Sequence, residues 1–594
     1  MTPTDLGFDP DALRVKYRAE RDRRLRPDGS AQYQPAEGDF GYYATDPYAD
    51  SGRTRPPLHD KVEAVVIGGG FGGLLAAARL RQAGVGSIRM IEKAGDFGGT
   101  WYWNRYPGIH CDVESYVYLP LLEEVGYLPE WKYSPGAEIL RHAQAIGRTF
   151  DLYQDACFNT AVEELRWDED EVEWIVRTDR GDRMRAQYVV ISNGTLDQPK
   201  LPGIPGIETF RGHTFHTSRW DYCYTGGDAD GGLTGLADKR VAIIGTGASA
   251  IQVVPHLGRD AKQLYVFQRT PSTVDVRGNR RTDPSWAGSL TPGWQQRRRD
   301  NFLTAVTGGQ VEEDLVADGW TSSARLLQSL IATSTHADLS AEEQGRVAEL
   351  ADFQKMNELR ARVAGEIEDP VTAEILKPWY RYMCKRPAFS DSYLQTFNRP
   401  NVEVIDTADQ GGVEQVTATA VVVGGQEYEV DCIVFATGFE LGKSDVLSGR
   451  LPVYGRDGLS LLEHWDTGLR TLHGSTSHGF PNLFHLGLLQ NAGAINYVHG
   501  LDEHATHLAE VVAEARKRGA RWVEPTAAAE QAWMDRIRRK SPDRYRFLLE
   551  CTPGYYNSEG TPREESEGFD GGPIAFHQLL RRWRSDDGFA ESMV

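Results

Sequence analysis

The chain has 594 residues, with 65 Lys and Arg against 85 Asp and Glu, giving a formal charge of −20. About four ordinary domain lengths fit in it, and a composition 40 % hydrophobic and 10 % aromatic excludes a disordered or fibrous protein. The acidic balance argues against nucleic acid or a membrane surface as partner.

The six cysteines include no CxxC pair, which argues against a disulfide framework, a zinc knuckle or a redox dithiol. No metal site is expected, and the reducing cytoplasm is the expected compartment. No secretory signal opens the chain, and the uncharged stretches 64–78 and 241–255 are too short to span a bilayer, so a soluble protein is expected.

Residues 1–60 read as an N-terminal extension. Asp9 as N-cap with Pro10 behind it predicts a short helix to about residue 25. A polar Gly/Pro/Tyr-rich stretch follows, in which Phe40, Tyr42, Tyr43 and Tyr48 favour docking on the main body over a disordered tail. Residues 62–67 then form an apolar, β-branched run, as in a buried parallel strand. A glycine loop, an Ala/Leu-rich helix and a second strand at 87–91 follow. The same order recurs at 240–244 and 263–267. Two such units predict an α/β protein with two Rossmann-like dinucleotide-binding domains.

Between 283 and 380 the pattern is helical. Ser340 and Glu343 have capping-box spacing, and Val347, Leu350, Phe353, Met356, Leu359 and Val363 recur every three to four residues. A further buried strand is expected at 431–435. The resulting division is a first dinucleotide domain at 61–207, a second at 208–390 carrying the helical insert, and a return to the first at 391–594.

Gly68, Gly70 and Gly73 satisfy GxGxxG, permitting a tight turn, close approach of a pyrophosphate, and close helix–strand packing. The helix behind offers free N–H groups and its positive dipole end to phosphate. Glu92 ends the next strand and is placed to accept ribose hydroxyls, so this site suits FAD or NAD. The second loop, Gly245-Thr246-Gly247-Ala248-Ser249-Ala250, is GxGxxA, and its strand ends in Arg269. A guanidinium in place of the carboxylate suits the 2′-phosphate of NADP. The other reading of Arg269 is a structural residue on a solvated strand end.

Between the loops lies Gly98-Gly99-Thr100-Trp101-Tyr102-Trp103-Asn104-Arg105-Tyr106-Pro107-Gly108-Ile109-His110-Cys111-Asp112. Further on, Phe210, Gly212, His216, Trp220 and Asp221 fall in FxGxxxHxxxWD. These resemble the GGxWxxxRxPGxxxD motif and the fingerprint of type I Baeyer–Villiger monooxygenases, from about residue 60 to the C-terminus. The resemblance implies FAD in the first unit, NADPH in the second, and a ketone and O2 as substrates, converted to an ester or lactone through a flavin peroxide. Trp220-Asp221 argues against the N-hydroxylating flavin monooxygenases, and the lone Cys111 against the disulfide reductases.

By the same resemblance, Asp112 pairs with Arg386 near the flavin, Lys385 reaches the NADP 2′-phosphate, and His216 is structural. Cofactor contacts are further implied for Gly99, Thr100, Trp101, Tyr118, Thr195, Ser249, Gly247 and Thr270. Phe480-Pro481-Asn482-Leu483-Phe484 resembles the family segment preceding the flavin ring, with Gly487-Leu488 in place of Gly-Pro. Residues 551–562, with Tyr555, Tyr556 and Asn557, fall where the family has a mobile loop near nicotinamide and substrate. That loop and the long N-terminus resemble the group acting on bulky or polycyclic ketones. A heteroatom oxygenase acting on sulfides or amines is the alternative.

Overall fold

The computed structural model describes residues 7–49, 55–333, 340–440, 449–487, 489–566 and 568–593; Leu488 lies outside them. The first βαβ unit is β1 (Lys61–Ile67), α1 (Phe71–Gln82) and β2 (Ile88–Ile91). The second is β3 (Arg240–Ile244), α2 (Ala248–Asp260) and β4 (Gln263–Gln268). Ala64, Val65 and Val66 are all fully buried, so β1 is covered on both faces, as a parallel strand must be.

Each unit nucleates its own sheet. Among the described residues the first sheet has seven strands. β2, β1, Arg183–Ile191, Glu173–Thr178, Val162–Asp168 and Val453–Tyr454 lie side by side, and Leu483–His485 pairs with Arg183–Ile191. The second is a five-stranded parallel sheet in the order Val402–Asp406, β4, β3, Cys432–Phe435, His213–His216. It corrects the expected boundary at residue 390, because two of its strands come after that point. The second unit runs to Phe435, and the first sheet resumes only at Val453. Local pattern identifies a buried strand such as 432–435 but carries no information about which sheet accepts it.

The insert holds the helices Pro284–Ser289, Trp294–Val306, Gly319–Thr333, Ala341–Glu366 and Pro370–Leu376. Ser340 and Glu343 form the capping box, and Phe353, Met356, Leu359 and Val363 are buried. The extension docks. Its helix spans Pro10–Asp22, capped by the Asp9 carboxylate, and Arg23 pairs with Asp406 at 2.7 Å. Tyr33–Pro35 adds antiparallel to Lys200–Pro202, and Tyr43 is buried against Phe435.

A second correction concerns the cysteines. Cys384 and Cys551 form a disulfide across a sequence separation of 167 residues, while Cys111, Cys157, Cys223 and Cys432 are free. Spacing rules see only cysteines close in sequence, and this pair is brought together by the fold. No helix among the described residues is long and apolar enough to cross a membrane.

Candidate active site

The two glycine loops are built alike. Gly68 and Gly245 have φ of +104° and +106°, and a Cβ on either would lie 2.5–2.6 Å from a strand-end carbonyl oxygen, that of Ser192 or Ala436. Gly70 and Gly247 precede α1 and α2, and neither helix has a side-chain cap, so the first N–H groups face outward for an anion. A Cβ on Gly247 would meet nothing within 4 Å, leaving open space at that helix end. Gly73 does not line the cleft; it packs beneath it, against the Gly68 carbonyl.

The first cleft is lined by Gly68, Gly70, Glu92, Gly99, Thr100, Trp101 and Tyr118, together with Ser192, Asn193, Gly194 and Leu196. Thr195 lies between the last two without lining it. Glu92 is buried; its carboxylate accepts the N–H groups of Gly69 and Ala94, and burial outweighs them to hold its pKa above the usual range. Each oxygen retains a lone pair for a ribose hydroxyl. Trp101 donates its indole N–H to Tyr118 Oη at 3.1 Å, bracing the cleft wall. These bare loops and the buried carboxylate fit an adenine dinucleotide with a free 2′-hydroxyl.

At the second loop, Ser249 lies half-buried on the first turn of α2. The Thr270 carbonyl accepts Thr246 Oγ1 at 2.9 Å and Lys385 Nζ at 3.4 Å, while Thr270 Oγ1 is buried without a partner. Burial, with Arg269 nearby, pushes the Lys385 ammonium down to about 7. Arg269 donates to Gln32 of the extension and pairs with Glu559 at 2.8 Å. The arginine expected on the strand end is therefore there, and beside Lys385, but already has a carboxylate partner.

Arg386 and Asp112, 274 residues apart in sequence, form a bidentate pair: Nε to Oδ2 at 2.6 Å and Nη2 to Oδ1 at 3.0 Å. Burial opposes the guanidinium charge, but the Asp112 carboxylate outweighs it and raises the Arg386 pKa. Trp320 of the insert donates to the Asp112 carbonyl at 2.8 Å and lies beneath the guanidinium, 5.1 Å from ring centroid to Cζ. Tyr555 and Tyr556 pack on each other with ring centroids 4.4 Å apart, on the same side of the site as Arg386. Asn557 has a different place from these two. It is 2 % exposed; its amide donates to the Leu548, Cys551 and Thr552 carbonyls and accepts from Gly554 and Gly560 N–H, so it organises the loop from within.

The fingerprint residues form a junction at the edge of the second sheet. His216 is fully buried, with Nδ1 2.8 Å from Ser218 Oγ, and burial pushes its pKa down to about 3. Trp220 is buried with its N–H on Thr225, and Asp221 caps the helix Tyr222–Thr225 and meets His213 Nε2 at 2.9 Å. Phe210 is half-buried, and a Cβ on Gly212 would strike the Phe210 ring and the Asp431 carbonyl. Sequence reasoning missed Trp320, Gln32, Glu559 and the Cys384–Cys551 link. Only the position of the two cysteines, next to Lys385 and at the head of the 551–562 loop, hinted at any of them.

Residues 62–280 match the family model described as pyridine nucleotide-disulphide oxidoreductase. Among the described residues no cystine lies near the first loop, where Cys111 is free, so the match reflects the shared two-dinucleotide plan. The chain is 58 % identical to a Baeyer-Villiger monooxygenase of Streptomyces coelicolor, covering 99 % of this chain and 96 % of that one. It is 51 % identical to neopentalenolactone D synthase of Streptomyces avermitilis, covering 98 % and 99 %. The solved structure of a polycyclic ketone monooxygenase from Thermothelomyces thermophila superposes with a TM-score of 0.90 at 40 % identity, covering 98 % of each chain.

Proposed function

Because the chain belongs to the Baeyer–Villiger monooxygenases, we propose that the ketone it oxygenates is bulky and polycyclic, and that the ester or lactone formed keeps that skeleton. FAD supplies the oxygen-activating redox chemistry and NADPH the electrons. We assign FAD to the first loop, with Glu92 on its ribose, and NADPH to the second, with Arg269 and Lys385 on its 2′-phosphate.

The Asp112–Arg386 pair beside Tyr555 and Tyr556 carries the reading. Insertion of oxygen next to a carbonyl makes that carbonyl oxygen anionic on the way, so it needs a cation held in place. Arg386 cannot lose its proton, and Asp112 and Trp320 hold its plane. The bulky substrate class is supported by the two relatives named for a polycyclic ketone and for neopentalenolactone D.

A panel of small cyclic, macrocyclic, steroid and terpenoid ketones, with products read by mass spectrometry, tests the proposal. Polycyclic ketones should be turned over with higher kcat/KM than cyclohexanone, and the reverse order would overturn it.

The second site has a pH signature. Lys385 carries its charge below about pH 7, so above that pH binding a phosphate there requires uptake of a proton. NADPH should bind roughly tenfold more weakly at about pH 8.5 than at about pH 6.5, the size of one lost charge-assisted contact. Lys385→Arg should flatten the profile. A flat wild-type profile in equilibrium titration would remove Lys385 from the phosphate.

A further inference from the structure

Glu559 brings a carboxylate from the 551–560 segment into the second dinucleotide site. Its side chain is 5 % exposed; one carboxylate oxygen accepts from Arg269 Nη2 at 2.8 Å and the other from Tyr33 Oη at 3.3 Å. The remaining terminal nitrogen of Arg269 is taken by Gln32. Lys385 and Lys200 lie in the field of the same carboxylate, and of the three cations Arg269 makes the ion pair with it. A phosphate dianion brought onto Arg269 would lie beside that carboxylate and be repelled by it.

The backbone here is held rather than relaxed. Ser558 and Glu559 are consecutive non-glycine residues with φ of +50° and +58°, a left-handed conformation disfavoured for both. Asn557 ties the segment internally, and Cys551 is linked covalently to Cys384, the neighbour of Lys385. The base of the loop is thus anchored at the second site, and its far end is held there by the Glu559 ion pair. Tyr555 and Tyr556 lie between these two points and pack on each other.

We infer that Glu559 couples the 551–560 loop to the second site: it shares Arg269 with the 2′-phosphate of NADP, and a phosphate arriving on Arg269 displaces it, releasing the strained turn at Ser558 and Glu559. The inference rests on the assignment of Arg269 to the 2′-phosphate. A nucleotide with a free 2′-hydroxyl brings no dianion and leaves Glu559 in place. Glu559 therefore makes this turn respond to NADP and not to NAD.

The test uses the FAD-loaded enzyme, with NADP+ and NAD+ affinities from flavin absorbance titration and hydrogen exchange of residues 551–566 by mass spectrometry. In wild type, NADP+ but not NAD+ should raise exchange in this segment. Glu559→Gln keeps the shape and removes the charge. It should show raised exchange without nucleotide and bind NADP+ about three- to tenfold more tightly, with NAD+ unchanged, since the phosphate no longer competes for a charge-assisted bond. Arg269→Ala should weaken NADP+ at least about tenfold. If Arg269→Ala weakens NADP+ but Glu559→Gln leaves it unchanged or weakens it, the coupling is wrong and the phosphate assignment stands. If Arg269→Ala leaves NADP+ affinity unchanged, the assignment falls and the coupling with it.

Discussion

Arg386→Ala should purify yellow, accept electrons from NADPH, and make ester roughly 10²–10³ times more slowly than wild type. Neither glycine loop includes Arg386, and it is absent from the lining of the first cleft, so flavin retention has no reason to change. What disappears is the one guanidinium clamped by Asp112 and set over Trp320. Removing a single preorganised donor to a developing oxyanion costs about 2.7–4 kcal/mol, or roughly 10²–10³ in rate. Reduced flavin would then return its electrons to oxygen as hydrogen peroxide. Asp112→Ala should show a weaker version of this defect, because the cation survives without its orienting carboxylate. Rapid-mixing reduction by NADPH, followed by product analysis after one turnover, separates the two half-reactions. Ester formed by Arg386→Ala at near the wild-type rate would mean that the arginine is not the group holding the oxyanion.

Gly73→Ala should cost the protein its flavin. A Cβ on Gly73 would lie 1.9 Å from the Gly68 carbonyl oxygen and 3.0 Å from its carbon. The obstacle is backbone, so α1 and the loop must separate by more than an ångström, and overpacking of this kind costs about 1–3 kcal/mol or more. That displacement falls on the turn that cradles the pyrophosphate. The corresponding place in the second loop is occupied by Ala250, fully buried and accommodated, so the methyl group is excluded by the first loop's spacing and not by the motif as such. The variant should purify nearly colourless, with a lowered Tm that added FAD restores only in part. A fully yellow Gly73→Ala protein of unchanged Tm would show that the loop yields freely.

Much of this was legible before any coordinates because it is local. Apolar β-branched runs followed by glycine loops mark both Rossmann units, and Glu92 and Arg269 stand one residue beyond their strands. The Asp9 cap and the Ser340 capping box are properties of four-residue windows and were equally readable. The pairing of Asp112 with Arg386 was legible only through family resemblance, since nothing in either segment specifies the other. Long-range choices were not legible: which sheet takes 402–406 and 432–435, and that Cys384 meets Cys551. Nor does the motif CTPGYYNSEG say that Asn557 turns inward while Glu559 reaches Arg269. That depends on two successive left-handed residues, for which serine and glutamate give no signal.

The first sheet is completed by strands from the far side of the second domain: Leu483–His485 pairs with Arg183–Ile191, and Val453–Tyr454 with Val162–Asp168. During synthesis the chain emerges N-terminus first, at roughly 5–20 residues per second. Arg183–Ile191 therefore waits on the order of tens of seconds for its partner strand, while β3, β4, Val402–Asp406 and Cys432–Phe435 are all made in between and can assemble as a unit. The domain that begins first on the ribosome is thus the last to close. Completion of the first cleft falls near the end of translation as well, because Leu486, Tyr497, Val498 and Leu501 form part of its lining.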